Sequence, residues 1–269
     1  MPQSARFLMK WMARKRTPPG TLEVLPNFHS PELGNRRDIL VYVPSSYARS
    51  EKPYPVIYMQ DGQNLFDPTT SFAGEWGVDQ ALARAPRKGR RAIIVGIPNM
   101  GVERVREYSP FVDERNGGGL GDAYVRFLLE TLKPAIDERY RTLTAVEHTG
   151  IVGSSLGGLL ALYAFFRQPS SFGFTGVMSP ALWFAGGAIF PFVRGAPYVR
   201  GRIYLDVGTR EGAGTLANAR MMRDLLIEKG YRMGKDLMWV EDKGGMHNEA
   251  AWGRRYRAAL PFLLSGAAR

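Results

Sequence analysis

The chain has 269 residues, 45% of them hydrophobic and 23% charged, with a formal net charge of +11 and no cysteine. This is ordinary globular composition with ample material for one α/β core, and the absence of cysteine excludes disulfides, thiolate catalysis and zinc–thiolate sites. Only His29, His148 and His247 are available for imidazole chemistry, so neither a metal site nor a cofactor is expected.

Residues 1–20, MPQSARFLMKWMARKRTPPG, read as a flexible basic arm that ends at the Pro18-Pro19-Gly20 break. Arg6, Lys10, Arg14, Lys15 and Arg16 supply five of the eleven excess charges there with no acid among them. The rest are thinly spread, and no basic stripe interleaved with aromatics points to a nucleic-acid partner. Lys10 breaks the arm's apolar stretch and no small-residue cleavage site follows, so it does not read as a secretory signal. No run approaches the length of a membrane span. The expectation is a cytoplasmic protein without stable membrane insertion, in which residues 21–269 form a single domain.

Strand-like segments come first, at Thr21–Leu25, Asp38–Val43 and Val56–Gln60, followed by a helical patch at Val78–Ala85. Ala92–Ile97 is a short apolar run bounded by Arg91 and Pro98, as a strand covered on both faces requires. Residues 120–140 carry the pattern of a long amphipathic helix, with Pro134 as a point of kinking. Ile151-Val152 ends a buried strand, and Leu156, Leu159, Leu160, Tyr163 and Ala164 then recur at helical spacing. Further strands are expected at Phe174–Met178, Arg202–Val207 and Leu237–Val240, with helices at Leu216–Lys229 and Ala250–Leu264. Strands alternating with helices predict a mostly parallel central sheet with helices on both faces.

One junction in this series does more than connect. Gly153-Ser154-Ser155-Leu156-Gly157 matches G-x-S-x-G between a strand and a helix, the turn that lifts a serine hydroxyl out of a strained corner. Glycine–serine clusters also make ordinary turns, so a serine nucleophile at Ser155 needs a base, an acid and an oxyanion hole elsewhere in the chain. His247, in KGGMHNEAAW, follows the last expected strand and precedes the C-terminal helix, where an α/β sheet keeps its site. His29 lies in an early polar loop and His148 at the wrong end of the strand before the turn. The acid belongs between serine and histidine in this chain order. Asp206 lies within a strand, while Glu211 follows the Gly208-Thr209 turn and is the better placed of the two. The N–H groups of Leu156 and of Gln63, the latter after the Asp61-Gly62 turn in VIYMQDGQN, are the expected oxyanion hole.

Taken together, these segments resemble the esterase family of α/β-hydrolases that includes esterase D, enterochelin esterases, feruloyl esterases and the mycolyltransferases. The resemblance spans about residues 22–265. It rests on LGNRRDILVYVPSSY, VIYMQDGQNLF, IVGIPN with ERVREYSP (Arg104, Tyr108 and Pro110), GSSLGG, VGTREG and GGMHNEAAW. It implies an α/β-hydrolase fold, with Ser155 as nucleophile, His247 as base, Glu211 as acid, and Gln63 and Leu156 at the oxyanion hole.

The activity so implied is hydrolysis of a small or moderate carboxylic ester through an acyl-serine, and the resemblance extends the substrate range to siderophore and glycoside esters. Trp76, Trp183 with Phe184, and Trp252 are candidates for lining the substrate pocket, although aromatic residues more often serve the core. Two other readings stand beside it. One is acyl transfer to an alcohol, as in the mycolyltransferases. The other is a non-catalytic binding protein on the same fold, which would have no use for all three of Ser155, Glu211 and His247.

Overall fold

The computed structural model describes residues 20–71, 74–85 and 92–267. Apart from Gly20, the basic arm expected over 1–20 lies outside them. Among the described residues the strands are β1 (Gly20–Ser30), β2 (Asn35–Pro44), β3 (Val56–Gln60), β4 (Ile93–Ile97), β5 (Val112–Asp113), β6 (Gly117–Gly118), β7 (Thr149–Ser154), β8 (Phe174–Met178), β9 (Arg202–Gly208) and β10 (Leu237–Asp242). Eight of these form one sheet in the order β1-β2-β4-β3-β7-β8-β9-β10, while β5 and β6 make a separate small hairpin. From β4 to β10 every neighbouring pair is parallel, and β2 runs antiparallel to both β1 and β4.

Every residue of β3, β4, β7 and β8 is buried, as expected of uninterrupted apolar runs covered on both faces. Alternate side chains feed two cores. On one face Tyr58, Ile151, Val177 and Leu205 pack beneath the helices Leu156–Arg167 and Ala213–Glu228. On the other, Ile57, Val152, Met178 and Tyr204 meet the helices Val78–Arg84 and Glu249–Leu263.

The C-terminal helix is anchored at both ends. The Asn248 side chain accepts from the Ala251 N–H at 3.0 Å at its start, satisfying one of the free donors of a helix N-terminus. At the far end the Arg202 guanidinium donates twice to the Leu263 carbonyl, at 3.2 and 2.9 Å. Its buried face runs Ala251, Trp252, Arg255, Tyr256, Ala259, Leu260 and Leu263, so one arginine interrupts an apolar stripe of helical period.

The helix expected over 120–140 is continuous, with α-helical turns at Gly121–Arg126 and Lys133–Arg139 flanking a π-helical stretch at Phe127–Leu132. Pro134 explains the widening. It has no N–H for the preceding turn, and its ring crowds the carbonyl four residues back, which a wider turn relieves. The β5–β6 hairpin and the helices Arg104–Tyr108, Phe184–Gly187 and Ile189–Gly195 are too short or glycine-rich to show a period in the sequence. No helix among the described residues is long and apolar enough to cross a membrane.

Because β3, β4, β7, β8, β9 and β10 are parallel, the loops that follow them open at one edge of the sheet. That edge carries Asp61–Asn64, Ser155, Ser179, Glu211 and His247.

Candidate active site

Ser155 sits at φ 56°, ψ −122°, a sparsely populated conformation for a residue with a side chain. Such a residue costs on the order of 1–3 kcal/mol and persists only where its surroundings enforce it. Here the backbone is held on both sides. The Ser155 N–H donates to the Met178 carbonyl at 3.0 Å, and its own carbonyl accepts from Leu159 and Ala181, both at 3.0 Å. The turn also demands close approach of the chain to itself, since a Cβ on Gly153 would lie 2.4 Å from the Gly157 carbonyl oxygen. The first glycine of G-x-S-x-G is thus a steric requirement of this corner, while a Cβ on Gly157 would come within 3.2 Å of the Gln60 side chain.

Glu211 and His247 are brought together, with Nδ1 of the imidazole 2.8 Å from Oε2 of the carboxylate. Their loops are tied to each other. Thr209 N–H donates to the Asp242 carbonyl at 3.0 Å, Arg210 N–H to the Gly245 carbonyl at 3.0 Å and Gly244 N–H to Thr209 Oγ1 at 2.9 Å. Gly208 is needed because a Cβ there would meet the Gly245 carbonyl oxygen at 2.3 Å and Glu211 Oε1 at 2.7 Å. The histidine side chain is 41% exposed and the glutamate fully buried, so the pair presents its imidazole to the surface.

The other oxygen of Glu211 is saturated. Oε1 accepts from Ser179 Oγ at 2.7 Å, Gly208 N–H at 2.8 Å and Arg255 Nη2 at 3.2 Å. Ser179 Oγ itself receives Trp252 Nε1–H at 3.0 Å and Arg255 Nη2–H at 2.9 Å. Indole and guanidinium nitrogens only donate, so the one hydroxyl hydrogen of Ser179 must point at Oε1. Oε1 therefore faces three donors, and the lone pairs left on Oε2 face Nδ1. Burial pushes the Glu211 carboxyl up, but His247, Ser179, Gly208 and Arg255 outweigh it and hold it below the ordinary value. An ionised Oε2 takes Nδ1–H, so in the neutral tautomer that this contact favours Nε2 is the nitrogen left to accept a proton. No hydrogen bond joins Ser155 Oγ to His247 among the described residues. Such contacts are often long without substrate.

Asp206 occupies a different place. Its side chain lies on the face of β9 covered by the C-terminal helix, fully buried, with Oδ1 accepting from Ser179 N–H at 3.0 Å and Oδ2 3.5 Å from Arg255 Nε. Burial, opposed by Arg255 and the Ser179 N–H, lifts its pKa to about 7. Two neighbouring carboxyls are thus driven apart, Glu211 held below its ordinary value and Asp206 above it. In the unfolded chain Asp206 titrates near about 3.9. Between the two values the folded state binds more protons, so stability falls as pH rises through that window and the loss is complete above it. Asp206→Asn keeps the acceptor for Ser179 and removes the titration. We expect urea-unfolding midpoints flatter than wild type between about pH 4 and pH 7, with turnover within a few-fold. A variant that is folded but inactive would make Asp206 the functional acid.

The loop after β3 is braced around Asp61, which lies at φ 54°. Its carboxylate accepts Arg104 Nε–H at 2.8 Å, Nη2–H at 2.9 Å and Asn99 Nδ2–H at 2.6 Å, and its N–H donates to Tyr108 Oη at 3.0 Å. Gln63 is pinned through both of its acceptors. Its Oε1 takes Asn99 N–H at 3.2 Å and its carbonyl takes Thr70 Oγ1–H at 2.8 Å. No described residue accepts a hydrogen bond from the backbone N–H of Gln63 or of Leu156. The latter is the first residue of the helix Leu156–Arg167, whose N-terminus favours negative charge.

Of the candidate pocket tryptophans, Trp76 and Trp252 are buried against each other with ring centroids 6.0 Å apart. Trp76 belongs to the core there. Trp252 stands edge-on to His247 at 4.9 Å, as a wall for the imidazole. Trp183 is 53% exposed and packs on Phe184. Sequence reasoning missed Ser179 and Arg255. Nothing marks Ser179, but Arg255 carries the signal of a cation inside an apolar helical stripe.

A family model described as "Putative esterase" matches residues 30–263 of the chain. The Bacillus subtilis protein YbbA is 26% identical over 245 residues, 86% of this chain and 94% of its own length. The siderophore triacetylfusarinine C esterase of Aspergillus fumigatus is 31% identical over 137 residues, 49% of this chain and 45% of that protein. The solved structure of siderophore hydrolase EstA from Aspergillus nidulans aligns with a TM-score of 0.70 at 20% identity, covering 96% of each chain. That likeness speaks for the fold, an α/β-hydrolase. With the family match running from β1 to the end of the C-terminal helix, the chain belongs to the "Putative esterase" family and is a carboxylic ester hydrolase.

Proposed function

We propose that the chain hydrolyses a small or moderate carboxylic ester through an acyl intermediate on Ser155. The observation that carries this reading is the saturated Oε1 of Glu211, with His247 Nδ1 at 2.8 Å from Oε2. It favours the tautomer with hydrogen on Nδ1, in which Nε2 is the nitrogen free to act as general base. In this reading Nε2 takes the Ser155 proton as Oγ attacks the ester carbonyl. The oxyanion of the tetrahedral intermediate lies between the N–H groups of Gln63 and Leu156. His247 then gives its proton to the leaving alcohol, and water releases the acid by the same steps in reverse. Trp183, 53% exposed and two residues beyond Ala181, whose N–H binds the Ser155 carbonyl, is the aromatic this reading assigns to the substrate.

A fluorophosphonate probe forms a stable adduct on an activated serine hydroxyl and releases fluoride. We expect a single adduct on the peptide containing Ser155, formed more slowly while a saturating short-chain p-nitrophenyl ester is present. Labelling at Ser154, or none while the ester is turned over, would remove the acyl-serine step.

A further inference from the structure

Arg255 carries a charge in a place where charge is expensive. Its side chain is 3% exposed, and a buried guanidinium is costly unless its partners are close and well aimed. Nη2 donates to Ser179 Oγ at 2.9 Å and to Glu211 Oε1 at 3.2 Å. Nε lies 3.5 Å from Asp206 Oδ2 and 3.9 Å from Asp242 Oδ2. The groups facing this cation come from every neighbouring element. They are Asp206 and Tyr204 on β9, Asp242 at the end of β10, Glu211 after β9 and, through Glu211, His247. On its own helix Arg254 points outward to Asp242.

Ser179 completes the arrangement. It is held at φ 40°, and its N–H is bound by both the carbonyl and the side chain of Asp206 at 3.1 and 3.0 Å. A serine kept in a conformation disfavoured for its side chain, immediately before Pro180, is placed by its surroundings to aim one hydroxyl. Of the three donors on Oε1, Gly208 is set by the acid's own turn. Ser179 and Arg255 come from two other elements and fix the carboxylate against rotation.

We propose that Arg255, acting with Ser179, is the positioning residue for Glu211, fixing Oε1 so that Oε2 alone meets His247. The proposal rests on the acyl-serine reading but is measured separately from it. Neither side chain hydrogen-bonds the histidine, so their effect passes through the carboxylate. Removing a positive charge raises the proton affinity of every group around it. With Arg255 gone, Glu211 and His247 both hold protons to higher pH, and the acid limb of kcat/KM moves upward. A residue that only secured the helix would change thermal stability and leave that limb in place.

The experiment uses the full chain with Arg255→Met, Arg255→Lys and Ser179→Ala, and an Asp206→Asn/Arg255→Met double variant, which removes the buried carboxyl along with its cation, in case the single arginine variant does not fold. The readouts are the pH profile of kcat/KM on a soluble aryl ester and the titration of the His247 ring followed by NMR. Arg255→Met, or the double variant, is expected to shift the acid limb and the imidazole titration upward, with kcat lowered more than KM is raised. Arg255→Lys is expected to restore the limb by restoring the charge, and Ser179→Ala to shift it in the same direction by less. A wild-type limb and imidazole titration in the folded arginine variant, or in Ser179→Ala, overturns the proposal. The NMR titration needs no turnover, so an active Ser155→Ala enzyme would defeat the acyl-serine reading without altering this result.

Discussion

Ser155→Ala is expected to fold as wild type does and to lose nearly all esterase activity. The loss of the hydroxyl removes no hydrogen bond to a described residue, and the turn is held through backbone groups that alanine retains. Alanine meets the same penalty at φ 56° as serine, so unfolding midpoints should agree closely. Turnover should not survive, because no other group at the corner takes the position of Oγ. In a serine hydrolase with a Ser–His–acid set, removing the serine costs about 10⁶ in kcat. Ser154→Ala, one residue earlier and inside the sheet, should keep most of its activity. Ser155→Gly adds a second contrast. Glycine accepts positive φ freely, so relief of strain offsets the greater freedom of its unfolded chain, and the variant should be inactive yet no less stable than Ser155→Ala. Residual activity in Ser155→Ala above about 1% of wild type would be incompatible with a nucleophilic role of that size.

The second large effect is expected from Glu211→Gln. The amide has the shape of the carboxylate but only one oxygen. Three donors converge on the Oε1 position, from Ser179, Gly208 and Arg255, so the amide oxygen takes that place and its NH2 turns toward His247. Nδ1 must then accept, which puts the ring hydrogen on Nε2, the nitrogen that should receive the Ser155 proton. The wrong tautomer in a Ser–His–Asp set costs roughly 10⁴ in kcat, and we expect a loss of that order with little change in KM. Measurement of kcat by active-site-titrated assay, alongside thermal unfolding, checks this against Asp206→Asn. A Glu211→Gln enzyme near wild type would remove Glu211 from the mechanism.

How much of this was legible in the sequence depends on the range over which each residue acts. β3, β4 and β8 are apolar runs whose burial on both faces is local information, and the Gly153–Gly157 turn writes its steric demand into adjacent positions. The pairing of Glu211 with His247 was legible from chain order and from glycine-flanked turns at strand ends. Trp76 was not, because a tryptophan facing a pocket and one facing a core look alike until the neighbouring helix is placed. Ser179, and the purpose of the cation that Arg255 puts in an apolar stripe, were out of reach for a further reason. Their roles exist only where the end of β8, the turn after β9 and the C-terminal helix converge, over separations of 32 and 44 residues from Glu211. The π-helical stretch shows the intermediate case. Pro134 announces a disturbance, but whether the chain bends or widens depends on the sheet beneath it.

The C-terminal helix Glu249–Leu263 closes one core and also delivers Trp252 and Arg255 to the buried side of the acid. During synthesis it leaves the ribosome after β10 and every strand before it. A nascent chain with its sheet already paired therefore lacks the indole and guanidinium that aim Ser179 at Glu211 until this segment docks. The same dependence runs backwards under stress. If this one helix peels before the sheet comes apart, loss of activity should precede loss of sheet signal on heating, and re-docking alone should restore it.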